Sequence, residues 1–168
     1  RSVLDQFSFP QKYLMNTEAG LVCGRDATED FCLAPEFTLT KAYYAAEVNF
    51  AAFAEGLRAN IWYSLTGWRG TNLVDKDLKP NQAYTAYQFS AQQLNGAVFQ
   101  RIVSDFPGVR GYEIQRGGQT VWFLVSGDGA AHSVTLPFTP SAVYDVFGAA
   151  QPAASAINIT SAPLYVVR

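Results

Sequence analysis

Few side chains in this sequence are equipped for chemistry. There is one His and there are two Cys. A structural zinc site needs about four nitrogen or sulfur ligands, so a Cys/His zinc module does not fit. No Gly-rich phosphate loop follows an apolar run, so nucleotide binding is unsupported and no cofactor is expected. His132 sits beside a turn and reads as solvated. Asp128, between Gly127 and Gly129, reads as a turn residue; Ser126-Gly127-Asp128-Gly129 lacks the ligand count of a calcium loop, so no metal is expected. Asn158-Ile159-Thr160 is a glycosylation sequon, meaningful in a eukaryotic secretory pathway. What remains is Glu18 at the end of a short apolar run, Trp62, Trp68, Arg69, and the pair Cys23 and Cys32. Taken alone, Glu18 is a solvated strand-end carboxylate or the acid of a helix N-terminus. Arg69 is a surface residue within reach of Asp75, or a donor to a ligand. Trp rings line ligand or partner surfaces, although most rings are core. Cys23 and Cys32 are either two buried thiols or a loop disulfide of an exported protein.

The elements that must position these residues fall into two halves, 1–96 and 97–168. In the first half Ser2 to Phe7 reads as a helix tail. Tyr13 to Thr17 reads as a short strand, and Pro10 keeps a helix from running into it. Thr38 to Glu55 reads as a largely buried helix, apolar on more than one face and capped by Gly56. Asn60 to Leu65 is the next strand. A loop then carries Gly67, Trp68, Arg69 and Gly70. Pro80 is expected in the first turn of a second helix. Ala83, Tyr87, Ala91 and Leu94 form its apolar face, and Asn95-Gly96 ends it. The order is βαβα, which implies a parallel sheet. The second half has no helical period. Its runs are Val98–Val103, Val109–Gln115, Thr120–Ser126, Ser133–Leu136, Ala142–Phe147, Ala156–Thr160 and Leu164–Val167. Gly117-Gly118 and Gly127-Asp128-Gly129 are expected as hairpin turns. Seven short strands in about 70 residues predict a small antiparallel sandwich. With only the short junction at Gly96 between them, the halves are expected to pack rigidly.

Composition narrows the function. Of 168 residues, 49% are hydrophobic and 15% charged, too apolar for a disordered chain. The net charge of −2 gives no basic face for a phosphate backbone, so no nucleic-acid partner is expected. No run reaches the roughly 18 apolar residues of a membrane span. Nothing at Arg1 has the form of a signal peptide, so an export signal is expected upstream of this chain. Two βα units are not a stable domain, because an open sheet that small leaves both edges bare. A (β/α)8 barrel needs roughly 200 residues or more, so barrel units here imply a piece of a longer protein.

The motifs converge on one family. Around Asn16-Thr17-Glu18-Ala19-Gly20 the sequence resembles clan A, the retaining glycoside hydrolases built on a TIM barrel. In that clan a Thr-Glu-x-Gly pattern closes strand seven, and strand eight ends in an aromatic residue. A loop follows, then a stretch with Lys-Pro and a following Ala-Tyr that opens helix eight. Here these are Asn60-Ile61-Trp62-Tyr63-Ser64-Leu65, the loop through Asn72-Leu73-Val74-Asp75, and Lys79-Pro80-Asn81-Gln82-Ala83-Tyr84. A β-sandwich often follows the barrel. The resemblance spans nearly the whole chain.

The resemblance implies an α/β plus all-β fold: the last βαβα units of a (β/α)8 barrel over 1–96, then an antiparallel β-sandwich over 97–168. It implies the C-terminal portion of a retaining O-glycosidase of the secreted or cell-surface space, acting on carbohydrate. Such an enzyme needs two carboxyl groups roughly 5–5.5 Å apart across the bond. Glu18 is implied as the nucleophile. The acid/base Glu, which follows an Asn on strand four, has no counterpart here, so the fragment alone is expected to be inactive. Trp62, expected to point into the barrel with Tyr63 toward the helices, Trp68 and Arg69 are the implied sugar contacts. Cys23 and Cys32 are expected to be disulfide-bonded beside the cleft. The bare sheet edges imply self-association or pairing with the missing barrel. The alternative function is a non-catalytic carbohydrate-binding β-sandwich with a helical prefix. A third possibility is a β-domain that braces the barrel and touches no sugar.

Overall fold

The computed structural model describes residues 2–25 and 28–168; Arg1, Asp26 and Ala27 lie outside the described residues. The first half contains α1 (Ser2–Gln6), β1 (Met15–Ala19), α2 (Glu29–Leu33), α3 (Pro35–Ala54), β2 (Ala59–Trp62) and α4 (Gln82–Leu94). The second half contains β3 (Val98–Val103), β4 (Val109–Arg116), β5 (Gln119–Ser126), β6 (His132–Thr135), β7 (Ala142–Asp145), β8 (Ala150–Gln151), β9 (Ala156–Ile159) and β10 (Leu164–Val167).

β1 and β2 are parallel, with Met15 opposite Ala59, Asn16 opposite Asn60 and Ala19 opposite Trp62. Three steps along β1 match two along β2, so Thr17 and Glu18 occupy a bulge. The strand therefore begins two residues later than Tyr13 and includes Glu18 rather than ending before it. A chain of side-chain amides ties the strands to the helices. Asn16 Nδ2 donates to Asn60 Oδ1 at 2.9 Å, Asn60 Nδ2 to Asn49 Oδ1 at 2.9 Å, and Asn49 Nδ2 to Ser90 Oγ at 2.8 Å. The Ser90 hydroxyl then donates to the Tyr87 carbonyl at 2.8 Å.

α3 starts at Pro35, three residues before Thr38, because proline at the first helical position forfeits no helical bond. It ends as expected at Gly56, whose φ of +67° admits the left-handed cap. The Gly56 N–H bonds the Phe53 carbonyl and the Leu57 N–H the Ala52 carbonyl, as in a Schellman motif. Pro80 is not in the first turn of α4. Asn81 caps that helix, its Oδ1 accepting from the N–H groups of Ala83 and Tyr84. The buried face of α4 is Ala83, Ala86 and Ser90, while Ala91 is exposed. That face is turned from the expected one because α4 must meet both α3 and the β-half.

The β-half has a six-stranded antiparallel sheet, ordered β3-β4-β5-β10-β7-β8, and a separate pair β6-β9. Gly117 and Gly118, both with positive φ, form the two-residue turn between β4 and β5. Gly127-Asp128-Gly129 does not form a hairpin. The chain there leaves the large sheet, and β6 pairs with β9 instead of β5.

The large sheet is covered on both faces. Ile114, Val121, Phe123, Val125 and Tyr165 share one core with Ala42, Ala46, Phe50, Ala83 and Ala86 of the helices. Trp122, Leu124, Val143 and Val166 share a second core with Val134 of β6 and Ile159 of β9. This explains why β5 is one apolar run, Val-Trp-Phe-Leu-Val, with no alternation. The halves meet through rings. Phe50 of α3 stacks on Phe123 at 4.3 Å between centroids, and Phe89 of α4 meets the Tyr165 ring edge-on at 4.9 Å. Phe123→Ala removes the central ring of this seam. It should cost about 3–5 kcal/mol of stability, read from urea denaturation followed by circular dichroism.

Candidate functional site

Parallel strands bring their C-terminal ends to one side, and the loops after β1 and β2 meet there. Glu18 is exposed at the end of β1. Gly20 follows where the chains nearly touch: a Cβ there would lie 2.7 Å from the Tyr63 carbonyl oxygen. Cys23 and Cys32 form a disulfide with Cα atoms 5.6 Å apart, as one of the two readings of the pair expected. The bridge closes the loop onto α2, which Thr28 caps at the Phe31 N–H and which the sequence reading left out.

The loop after β2 is held by its carbonyl groups. The Arg69 carbonyl accepts from Cys23 N–H at 2.9 Å. The Gly70 carbonyl accepts from the Lys41 ammonium at 2.7 Å. The Thr71 carbonyl accepts from the Trp62 indole N–H at 2.8 Å. The Asn72 carbonyl accepts from Lys41 at 2.7 Å and from Asn81 Nδ2 at 2.8 Å. At Gly70, with φ +78°, any side chain would meet the Phe37 ring at 2.9 Å. Lys41 is 2% exposed and meets neutral oxygens, and burial lowers its pKa to about 8.

The expected orientation of Trp62 is reversed. Its ring is 8% exposed and lies between Tyr44 of α3 and Tyr87 of α4, on the helix side of β2. Asn60, two residues earlier, faces the helices as well, as alternation requires. Ile61 and Tyr63 are therefore on the open side, and Tyr63 is 49% exposed. The sequence reading passed over Tyr63 as the outward member of that pair. Trp68 is 59% exposed at the loop tip. The Arg69 guanidinium lies over the Trp68 ring, 5.3 Å from its centroid. Arg69 does not pair with Asp75, whose carboxylate accepts from the backbone N–H groups of Asp77 and Lys79. One guanidinium nitrogen of Arg69, Nη2, is buried with no hydrogen-bond partner among the described residues. Arg69 also lines a cavity of about 400 Å³ with Gly24, Cys32, Leu33 and Asn72. Glu18, Trp68 and Arg69 thus share one end of the strand pair. A larger groove of about 740 Å³ opens at the opposite end, between α3 and α4, and holds none of these residues.

Away from this end, His132 is half-buried rather than fully solvated. Its ring packs where a Gly108 side chain would stand, and its Nε2 lies 2.7 Å from Asp128 Oδ1. That imidazole, with the Ala130 N–H and the Ser126 hydroxyl, lowers the Asp128 pKa to about 2. Asn158 is exposed on the outer side of β9.

No family model and no curated protein matches the chain. Solved structures do. A family 39 glycoside hydrolase from the gut symbiont Bacteroides cellulosilyticus WH2 superposes with a TM-score of 0.69 at 18% identity, over 92% of this chain and 33% of that one. A family 30 endoxylanase from Clostridium papyrosolvens C71 gives 0.63 at 16% identity, over 99% and 44%. A conserved exported protein from Bacteroides fragilis gives 0.63 at 12% identity, over 94% and 39%. The chain spans less than half the length of each. The likeness is one of fold.

Two tests follow from this geometry. The folded pKa of Lys41 is lowered, so above about pH 8 the unfolded chain holds the proton that the folded chain has released. The Lys41 contribution to stability should then rise with pH, by up to about 1.4 kcal/mol per unit, until unfolded lysine titrates near 10.4. Buried tyrosines such as Tyr165, whose phenol burial raises, oppose this trend near pH 10. Denaturation between roughly pH 8 and 9.5 should show the slope in the wild type and lose it in Lys41→Met. Replacing both Cys23 and Cys32 by Ser should cost somewhat under about 3 kcal/mol for a loop this short, read from the same curves.

Proposed function

We propose that this chain is the C-terminal part of a retaining O-glycoside hydrolase, with Glu18 as the nucleophile. The observation that carries the reading is an exposed carboxylate at the C-terminal end of a parallel βα strand, the face where barrel enzymes do their chemistry. The shared fold with glycoside hydrolases supports it. Glu18 attacks the anomeric carbon and the leaving oxygen takes its proton from a second carboxyl group on a barrel strand upstream. Water then releases the sugar from the Glu18 ester. Trp68 offers a broad apolar face to a pyranose ring and Arg69 offers donors to its hydroxyls. Tyr63 replaces Trp62 as the ring on the open side of β2. The first half supplies the last two βα units of the barrel. The β-half is a sandwich-like brace that packs on their helices.

The alternative of a carbohydrate-binding β-module loses its main requirement. Such a module needs exposed rings on one sheet face, and here Trp122, Phe123 and Tyr165 are buried. The open side of β1 and β2 instead exposes Met15, Ile61, Tyr63 and Leu65. Those side chains are the surface that the upstream barrel units cover, and without them the chain self-associates. The disulfide fits an exported enzyme.

The test uses the longer protein. Glu18→Gln keeps the volume and removes the nucleophile, so turnover should fall by several orders of magnitude with the fold intact, and a 2-fluoro-glycoside inactivator should label Glu18 in the wild type. Near-wild-type turnover of the Gln variant overturns the assignment. The 168-residue chain alone should neither hydrolyse aryl glycosides nor sediment as a clean monomer at tens of micromolar, since it holds one of the two carboxyl groups and a bare sheet face.

A further inference from the structure

We propose that Lys41 is a positioning residue for the loop that presents Trp68 and Arg69, acting from beneath the site without touching a ligand. The proposal rests on the reading of that loop as a sugar contact for its purpose, but not for its test. Lys41 is the one charged residue among the buried positions of α3, which are otherwise alanines, Asn49 and Phe50. Its ammonium reaches the carbonyl oxygens of Gly70 and Asn72, both at 2.7 Å, and Asn72 Oδ1 at 3.4 Å. An ammonium can satisfy three acceptors around one point. That geometry turns two carbonyls inward and leaves the intervening stretch a single path.

Two further observations make this a device for the loop tip. Between the two Lys41 acceptors, the Thr71 carbonyl bonds the Trp62 indole, while the Thr71 hydroxyl accepts from the Trp68 N–H at 3.0 Å. The setting of Gly70–Asn72 thus passes by one hydrogen bond to the backbone of Trp68. Arg69 stands at φ +52°, a left-handed conformation that a non-glycine residue keeps only where its surroundings hold it. Its neighbours on both sides are anchored, Trp68 by Thr71 and Gly70 by Lys41. Removing the ammonium leaves the Gly70 carbonyl without its donor, and a buried carbonyl in that state turns toward water. Trp68 and Arg69 then lose their fixed placement.

The three tryptophans provide the readout. The Trp62 indole N–H bonds the loop, Trp68 rides on it, and the Trp122 indole N–H bonds Glu113 on the far side of the large sheet. In the ¹H–¹⁵N spectrum of the 168-residue chain, Lys41→Met should move the indole signals of Trp62 and Trp68 and leave that of Trp122 in place. Acrylamide quenching of Trp68 should rise. Ile114→Val, a sheet-core substitution that lowers stability, should leave the Trp62 and Trp68 signals unmoved. Should Lys41→Met not fold, Lys41→Gln keeps a polar donor over the same carbonyls and should show the same shifts at smaller amplitude. Unmoved Trp62 and Trp68 signals in the folded variant overturn the proposal, and so does an equal shift in Ile114→Val. Failure of the Glu18 test would leave this result standing, and failure here would leave Glu18 untouched.

Discussion

Four consecutive carbonyl groups, those of residues 69 to 72, turn inward and are held by donors from four parts of the fold, Lys41 serving two of them. The donors are the loop after β1, the middle of α3, the end of β2 and the cap of α4. A buried carbonyl must find a donor, so each of these elements has to arrive at the right height and rotation for the loop to close. The loop in turn fixes the distance between the C-terminal ends of the two strands. The candidate site is therefore set by backbone acceptors and by donors that point away from solvent, and its exposed side chains are carried by them.

The two halves of the chain lean on the same pair of helices. Buried alanines let α3 approach its neighbours closely, while Phe50 of α3 and Phe89 of α4 reach Phe123 and Tyr165 of the large sheet. A helix used on two sides cannot show a clean amphipathic stripe, and α3 does not. The large sheet pays a matching cost in polarity, since its central strand is covered on both faces.

Much of this was legible in the residues. The βαβα order, the Gly56 cap and the Gly117-Gly118 turn all follow from local rules, because each depends on a few neighbouring residues. The disulfide was one of two readings that the residues left open. The errors lie where a distant partner decides. Trp62 and Tyr63 differ only in which side of β2 they occupy, and that is set by the helices β2 packs on and by pairing with β1 across the Thr17-Glu18 bulge. The buried face of α4 rotated for the same reason: the β-half competes with α3 for it. Asn81 outranked Pro80 as the start of α4 because an amide oxygen can satisfy two N–H groups. Lys41 was passed over as one charge in a helix. Its signal was its setting, a lone cation on the same face as Ala42, Ala45 and Ala46.

The relay of amides from Asn16 through Asn60 and Asn49 to Ser90 has a direction. Each group gives a proton to the next and takes one from the last, so no single amide can reverse without setting two donors or two acceptors face to face. The relay works as a ratchet pawl between strands and helices. Sliding β2 by two residues would keep its facing pattern yet place the Arg58 or the Trp62 side chain against the Asn49 oxygen and Asn16 nitrogen. The alternation of faces would survive such a slip; the relay would not.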